Sequence, residues 1–293
     1  MAVDPRRASD SPSPGAPRSG PGEDDHRALR ARMDRVAHKI LVLSGKGGVG
    51  KSTVAVNLAA ALAQSGQRVG LLDIDIHGPS TPKLLGMEGQ ALTGDETGLQ
   101  PKGYPCGPHG IRVISIGFLF QNRDEAVIWR GPRKYHLIRQ FLEDVQWGDL
   151  DWLVVDAPPG TGDEPLAVVQ LLERADGAVV VTTPQEVAVQ DVRRCVVFCR
   201  QLDLPVIGVI ENMSGFTCPK CGEVVRIFGA DGGRNMAQEM GVPFLGSLPI
   251  DPEVVRSGEQ GTPIVLARPD SETAQVFHRL SASLQSGASL SRK

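Results

Sequence analysis

The chain has 293 residues, 41% of them apolar and 22% charged, with a net charge of −3. That length suits one large α/β domain or two small ones, and the composition is ordinary for a soluble globular protein. The charge balance carries no electrostatic footprint for nucleic acid, the apolar runs are too short to span a membrane, and the N-terminus has no signal-type apolar core, so the expected compartment is the cytoplasm.

Residues 1 to 24 are rich in Pro, Ser, Gly and Arg. They carry too few apolar side chains to offset the entropy of ordering, which predicts a disordered tail ahead of one folded domain over 25–288. From Asp25 to about His38, Leu29, Met33 and Val36 recur at helix-like spacing, and a short lead-in helix is expected.

Ile40-Leu41-Val42-Leu43 reads as a buried strand and Val54 to Ala63 as an Ala-rich helix. Between them, Gly45-Lys46-Gly47-Gly48-Val49-Gly50-Lys51-Ser52, followed by Thr53, fits the phosphate-binding loop G-x-x-x-x-G-K-[ST]. Its glycines let the backbone wrap a triphosphate with N–H groups facing the oxygens, and the helix N-terminus adds a favourable dipole. Lys51 then reaches the β- and γ-phosphates and Ser52 ligates Mg²⁺. Lys46 is a second cation in the loop, one too many for a single nucleotide unless it reaches a second phosphate site. At this position the chain resembles the deviant Walker A ATPases (the MinD, ParA and nitrogenase iron-protein class), in which the extra lysine crosses a dimer interface to the partner's nucleotide.

Val69 to Asp73 is the next strand, running into Asp73-Ile74-Asp75-Ile76-His77-Gly78-Pro79-Ser80. Carboxylates at the end of a parallel strand sit where open α/β sheets bind ligands, so Asp75 is placed to orient the attacking water or help hold Mg²⁺. Residues 86–110 read as a surface excursion and Ile111–Ile116 as a strand. Trp129-Arg130-Gly131-Pro132 precedes a helix from Tyr135 to Val145. Cys106 is an unassigned thiol. Trp152 to Asp156 is a buried strand ending in an acid, the Walker B arrangement, with Asp156 holding Mg²⁺ through its water shell.

Residues 157–164 form a Gly/Pro-rich loop able to move with the γ-phosphate, and Asp163 either caps the helix after it or relays that switch. Strands over 178–182, 206–210 and 244–248 follow, separated by helices near 187–201 and 231–240. Cys195 and Cys199 share a face of the first helix, among Val196, Val197 and Phe198, and read as core. The alternation predicts an α/β fold, a doubly wound, mainly parallel sheet flanked by helices. Its right-handed crossovers put the P-loop, Asp75, Asp156 and Asn212 on one edge.

Cys218-Pro219-Lys220-Cys221-Gly222 has metal-knuckle spacing, with Gly222 permitting the tight turn. Two ligands leave a tetrahedral site incomplete, and two copies in a C2 dimer would supply four thiolates. A redox pair, a zinc shared across the dimer, an iron–sulfur cluster and a chance pair of thiols all remain open, although the strand preceding the motif disfavours the redox pair.

Together with Thr182-Thr183-Pro184-Gln185-Glu186, Asp156-Ala157-Pro158-Pro159-Gly160-Thr161-Gly162-Asp163 and Glu211-Asn212-Met213-Ser214, these motifs resemble the Mrp/ApbC family of iron–sulfur cluster carrier ATPases over about residues 27–285. The resemblance implies a cytoplasmic homodimer with weak Mg²⁺-dependent ATPase activity. It would bind a [4Fe-4S] cluster between paired Cys218 and Cys221, accept clusters from upstream scaffold proteins and deliver them to apo iron–sulfur proteins. It further implies that residues 45–53 bind ATP, with Lys46 and Lys51 on phosphates, Ser52 on Mg²⁺, Asp75 and Asp156 serving hydrolysis, and Asn212 reading the adenine. The tail departs from some relatives in having neither a cysteine cluster nor room for an extra domain. The alternative is a MinD/ParA-like positioning or partitioning ATPase with a zinc-bridged dimer. That reading calls for a membrane helix or DNA surface, and the weakly polar 271–293 stretch does not suggest an anchor.

Overall fold

A computed structural model describes residues 24–96, 98–119, 131–172 and 174–287. The tail expected before Asp24, and Trp129 and Arg130, lie outside the described residues. In chain order the first half comprises α1 (Asp24–Met33), β1 (Val36–Ser44), α2 (Lys51–Gln64), β2 (Val69–Asp73), α3 (Thr81–Leu84), β3 (Thr93–Asp95), β4 (Gly98–Gln100), β5 (Lys102–Tyr104), β6 (Ile111–Ser115) and α4 (Gly131–Glu143). The second half comprises β7 (Leu150–Asp156), α5 (Asp163–Leu172), β8 (Gly177–Thr182), α6 (Glu186–Gln201), β9 (Val206–Glu211), β10 (Phe216–Thr217), β11 (Val224–Val225), α7 (Gly232–Glu239), β12 (Phe244–Ser247), α8 (Pro252–Glu259), α9 (Ile264–Ala267) and α10 (Glu272–Gln285).

The apolar runs lack a polar face because the sheet is covered on both sides, as parallel sheets are. Eight strands lie in the order β12-β9-β8-β1-β7-β2-β6-β5, with every neighbouring pair parallel except β5–β6. Successive side chains go to opposite faces. Leu41, Leu43, Val155 and Val180 therefore join one core with α4, α5 and α6, while Ile40, Val42, Val154 and Val181 join the other with α2 and α10. Helix α2 is buried from Val54 through Ala63 because it lies between the sheet and α10. Its alanines suit that place, combining high helix propensity with little bulk. Its one polar residue there, Asn57, is satisfied: Nδ2 donates to Thr53 O (2.9 Å) and Oδ1 accepts from Val265 N (3.3 Å).

The structure moves several expected boundaries. The lead-in helix stops at Met33, and Val36–His38, expected to be helical, opens β1. Polar His38 and Lys39 hid that start. His38 stacks on Trp152 with ring centroids 4.5 Å apart, and the Lys39 ammonium donates to Met33 O (3.3 Å), at the end of α1, and to Val36 O (2.9 Å), at the start of β1. The 86–110 excursion contains β3, β4 and β5, the last closing the sheet edge. The C-terminal stretch also differs. Residues 272–285 form an amphipathic helix capped by Ser271, whose Oγ accepts from Ala274 N at 3.2 Å. Phe277, Leu280 and Leu284 are buried toward α2, each contributing roughly 1.5–3 kcal/mol, so the apolar face is already covered. No helix among the described residues is long and apolar enough to cross a membrane.

Candidate functional site

Strands β1, β2, β7 and β9 are mutually parallel through their neighbours, so Ser44, Asp73, Asp156 and Glu211 end on one edge of the sheet. The P-loop crosses that edge. Gly50, the N-cap of α2, has φ 85°, a left-handed conformation suited to glycine, and it offers no side chain to the first turn. The leading N–H groups of α2 are thus left for an anion. A Cβ on Gly50 would also lie 2.2 Å from Asn212 Nδ2. The loop, Asp75, His77, Pro159 and Met213 enclose an open cleft of about 520 Å³, within the range of ligand pockets. Half-exposed Lys46 lines this cleft and forms no ion pair among the described residues, while its carbonyl accepts from Ser44 Oγ at 2.9 Å.

Lys51 is only 6% exposed and sits among carboxylates, with Nζ 2.5 Å from Asp156 Oδ1 and 3.3 Å from Asp75 Oδ2. Burial pulls its pKa down, but Asp156, Asp75 and Asp73 outweigh burial and hold it above the ordinary lysine value. Burial raises Asp156 even against the pull of Lys51 and of a hydrogen bond from Ser52. Asp156 Oδ2 is buried with no partner, which leaves a hard oxygen beside the Ser52 hydroxyl and Asp75. That donor set fits Mg²⁺. Asp73, two residues before Asp75, is spent on structure: Oδ1 accepts from Asp75 N (3.1 Å), and Oδ2 from Thr81 N (3.2 Å) and Ser115 Oγ (2.9 Å). Burial, followed by the Asp156 charge, pushes Asp73 up to about 7.

Sequence reasoning passed over two carboxylates. Asp163 opens α5 exposed, whereas its neighbour Glu164 takes the Lys134 ammonium and lies 3.1 Å from His77 Nε2. That contact ties the Asp75 loop to the helix after β7. Glu211 is fully buried at the end of β9, and an acid closing an apolar strand was its available signal. Asn212 reaches the P-loop itself, its Nδ2 donating to Val49 O at 2.8 Å.

Cys218 and Cys221 stand apart from this cluster, on the turn between β10 and β11. Cys218 N donates to Glu223 O and Gly222 N to Cys218 O, both 2.9 Å, and Gly222 takes φ 74° to close the turn. Cys218 is half-buried and Cys221 exposed, both as free thiols. Backbone N–H groups of Cys221 and Lys220 aimed at its sulfur lower the Cys218 pKa, favouring the thiolate that binds metal. No three-residue metal set forms among the described residues, so one chain offers two thiolates on an exposed knuckle. Cys106, Cys195 and Cys199 are buried.

Comparison with known proteins agrees with this arrangement. The ParA family model, described as NUBPL iron-transfer P-loop NTPase, matches residues 35–285. A cytosolic Fe-S cluster assembly factor NUBP2 homolog from Culex quinquefasciatus is 52% identical over 254 residues, covering 86% of this chain and 98% of that one. An iron-sulfur cluster carrier protein from Saccharolobus solfataricus is 49% identical over 249 residues, covering 85% of this chain and 83% of that one. Among solved structures, a nucleotide-binding protein from Archaeoglobus fulgidus in complex with ADP superposes with TM-score 0.73 at 36% identity, over 86% of this chain and 96% of that one. The cell division ATPase MinD of Pyrococcus furiosus shares the fold, with TM-score 0.60 at 21% identity over 86% of this chain and 99% of that one. The chain belongs to the ParA family of NUBPL-type iron-transfer P-loop NTPases.

Proposed function

We propose that the protein is a cytoplasmic, homodimeric, Mg²⁺-dependent ATPase of low turnover that binds a [4Fe-4S] cluster and passes it to apo iron–sulfur proteins. One observation carries the reading. A P-loop NTPase presents Cys218 and Cys221 on an exposed knuckle with no third ligand among the described residues, so a second copy completes a four-thiolate site for the cargo. The names of the relatives support that cargo, and the expected donors and recipients are scaffold proteins and apoproteins.

In this reading residues 45–53 hold ATP, Lys51 neutralises its own nucleotide and Lys46 reaches across the dimer to the partner's. Asp75 orients the attacking water, and Asn212 borders the adenine. Ser52 and Asp156 hold Mg²⁺, which when bound neutralises charge on the phosphate oxygens. The chemistry needs little beyond positioning and charge, which suits a slow hydrolase working as a switch. The MinD/ParA-like positioning role is the less supported alternative, because it gives the cysteine knuckle no task beyond zinc.

Anaerobic reconstitution with iron and sulfide tests the proposal. The expected product is a brown dimer whose visible absorbance is lost in Cys218→Ala. A colourless protein holding one zinc per dimer would sink the carrier reading.

A further inference from the structure

Glu211 receives three hydrogen bonds in a fully buried position. Its Oε1 accepts from Ser214 Oγ (2.6 Å) and Asp231 N (3.1 Å), and its Oε2 from Gly233 N (2.7 Å). Ser214 stands where the chain leaves the sheet for the cysteine knuckle, and Asp231 and Gly233 stand where it returns into α7. One carboxylate therefore closes the neck of the excursion that carries Cys218 and Cys221. It also caps α7 from a distance, because Asp231 at the N-cap sits at φ 59° and its own side chain makes no capping bond.

The following residue faces the P-loop. Asn212 Nδ2 donates to Val49 O, packs within 2.2 Å of where a Gly50 Cβ would stand, and its backbone N donates to Thr182 O at 2.8 Å. Met213 lines the nucleotide cleft and holds φ 60°, a left-handed conformation rare for a non-glycine residue. Ser214 N then donates to Leu248 O at 2.9 Å. Residues 211–214 thus touch the P-loop at one point and clasp the knuckle's neck at the next.

We propose that residues 211–214 are the mechanical link by which nucleotide in the P-loop sets the geometry of Cys218 and Cys221, with Glu211 as its positioning residue. The proposal rests on the reading above that one protein holds both a nucleotide at the P-loop and a cargo at Cys218 and Cys221. A shift of Val49 and Gly50 must move Asn212, because that contact is close-packed, and the left-handed Met213 is where the backbone absorbs the change. Glu211 converts it into a shift of both ends of the excursion at once.

Thiol alkylation of the full-length apoprotein tests the link without any cluster. Cys106, Cys195 and Cys199 are buried, so iodoacetamide reacts first at Cys218 and Cys221, and peptide mass spectrometry separates the two. In the wild type, a non-hydrolysable ATP analogue with Mg²⁺ should change the Cys218 rate about fivefold or more, the lower range of allosteric linkage. Glu211→Gln keeps the side-chain shape but puts an amide donor among three donors, and it should bring that ratio to within about twofold of unity with nucleotide affinity unchanged. A merely structural role would alter the rate equally with and without nucleotide and leave the ratio intact. Ser214→Ala removes a single donor at a half-buried position and should give an intermediate ratio, which covers a poorly folded Glu211→Gln.

A wild-type ratio of one, or a wild-type ratio retained in both variants, overturns the link. The two readings fail separately. A protein that takes up zinc alone yet loses its ratio in Glu211→Gln would remove the cluster cargo and keep the link. A cluster-binding protein whose variants keep the ratio would do the reverse.

Discussion

Lys51 is the cation set among three buried carboxylates, and Lys51→Met should expose how much the fold depends on it. With Asp156 at 2.5 Å, Asp75 at 3.3 Å and Asp73 buried behind them, the substitution leaves negative charge in the sheet edge with no cation. Breaking a buried pair in this way costs about 3–5 kcal/mol. Proton uptake sets a ceiling. Asp73 is already raised to about 7 with Lys51 present, so at pH 7 the wild type itself meets most of the cost of keeping it neutral, and the burden of the substitution falls on Asp156, whose pKa Lys51 pulls down. Without Lys51 the folded Asp156 binds its proton at higher pH than in wild type, so on acidification from pH 7 the variant recovers stability that the wild type does not gain, and the deficit shrinks. Thermal unfolding of the nucleotide-free protein should show Lys51→Met below wild type by roughly 10 °C at pH 7 and by less at pH 5. Lys46→Met, removing a lysine with no ion pair among the described residues, should stay within about 0.5 kcal/mol of wild type at both pH values. A Lys51→Met deficit that is independent of pH, or that grows on acidification, would refute the argument that it compensates buried carboxylates.

Three further outcomes can be checked directly. Asp156→Asn removes both the Lys51 partner and the free oxygen suited to Mg²⁺, and should lower the ATP hydrolysis rate about 10²-fold or more, measured by phosphate release with Mg²⁺ in excess. Cys221→Ser, at an exposed position, should abolish the reconstituted visible absorbance while shifting stability by less than about 0.5 kcal/mol in urea unfolding. Gly50→Ala forces a side chain into left-handed backbone and onto Asn212; nucleotide affinity measured by calorimetry should fall at least tenfold, and near-wild-type affinity would show that the loop re-forms around the methyl group.

The parallel strands were legible because a sheet buried on both faces writes itself as unbroken apolar runs, and the P-loop because its spacing occurs between such a run and a helix. The start of β1 was not legible. His38 and Lys39 are polar residues inside a strand, and their partners, Trp152 and the end of α1, are distant or out of register in sequence. Helix α10 was hidden differently. Its buried face mixes Thr273, Ala274 and Ser281 with Val276, Phe277, Leu280 and Leu284, so its apolar periodicity is diluted. Small polar residues are tolerated there because α2, the surface they meet, is itself built of alanines. The cysteine knuckle was legible as chemistry from spacing alone, but its dependence on Glu211 was not, since that contact spans twenty residues of irregular chain.

Acids that end strands show where sequence reading stops. Asp73, Asp156 and Glu211 each close an apolar run at the same sheet edge, and in sequence they look alike. What separates them is how many donors surround each carboxylate. Asp73 has both oxygens taken by Asp75 N, Thr81 N and Ser115 Oγ, so it braces the Asp75 loop and has little left to offer a ligand. Glu211 has both oxygens taken by Ser214, Asp231 and Gly233, so it fastens a neck. Asp156 alone of the three keeps an oxygen buried and unmatched while the other meets a lysine that phosphate can compete for. A buried acceptor without a donor is costly unless a cation arrives, so the fold tolerates Asp156 in the form a bound nucleotide and metal would complete. The same count predicts the order of sensitivity: in the nucleotide-free protein, chelating divalent cations should change Asp156 most, Asp73 less and only through the Asp156 charge, and Glu211 least, an order readable by carboxyl-selective NMR of the three side chains with and without Mg²⁺.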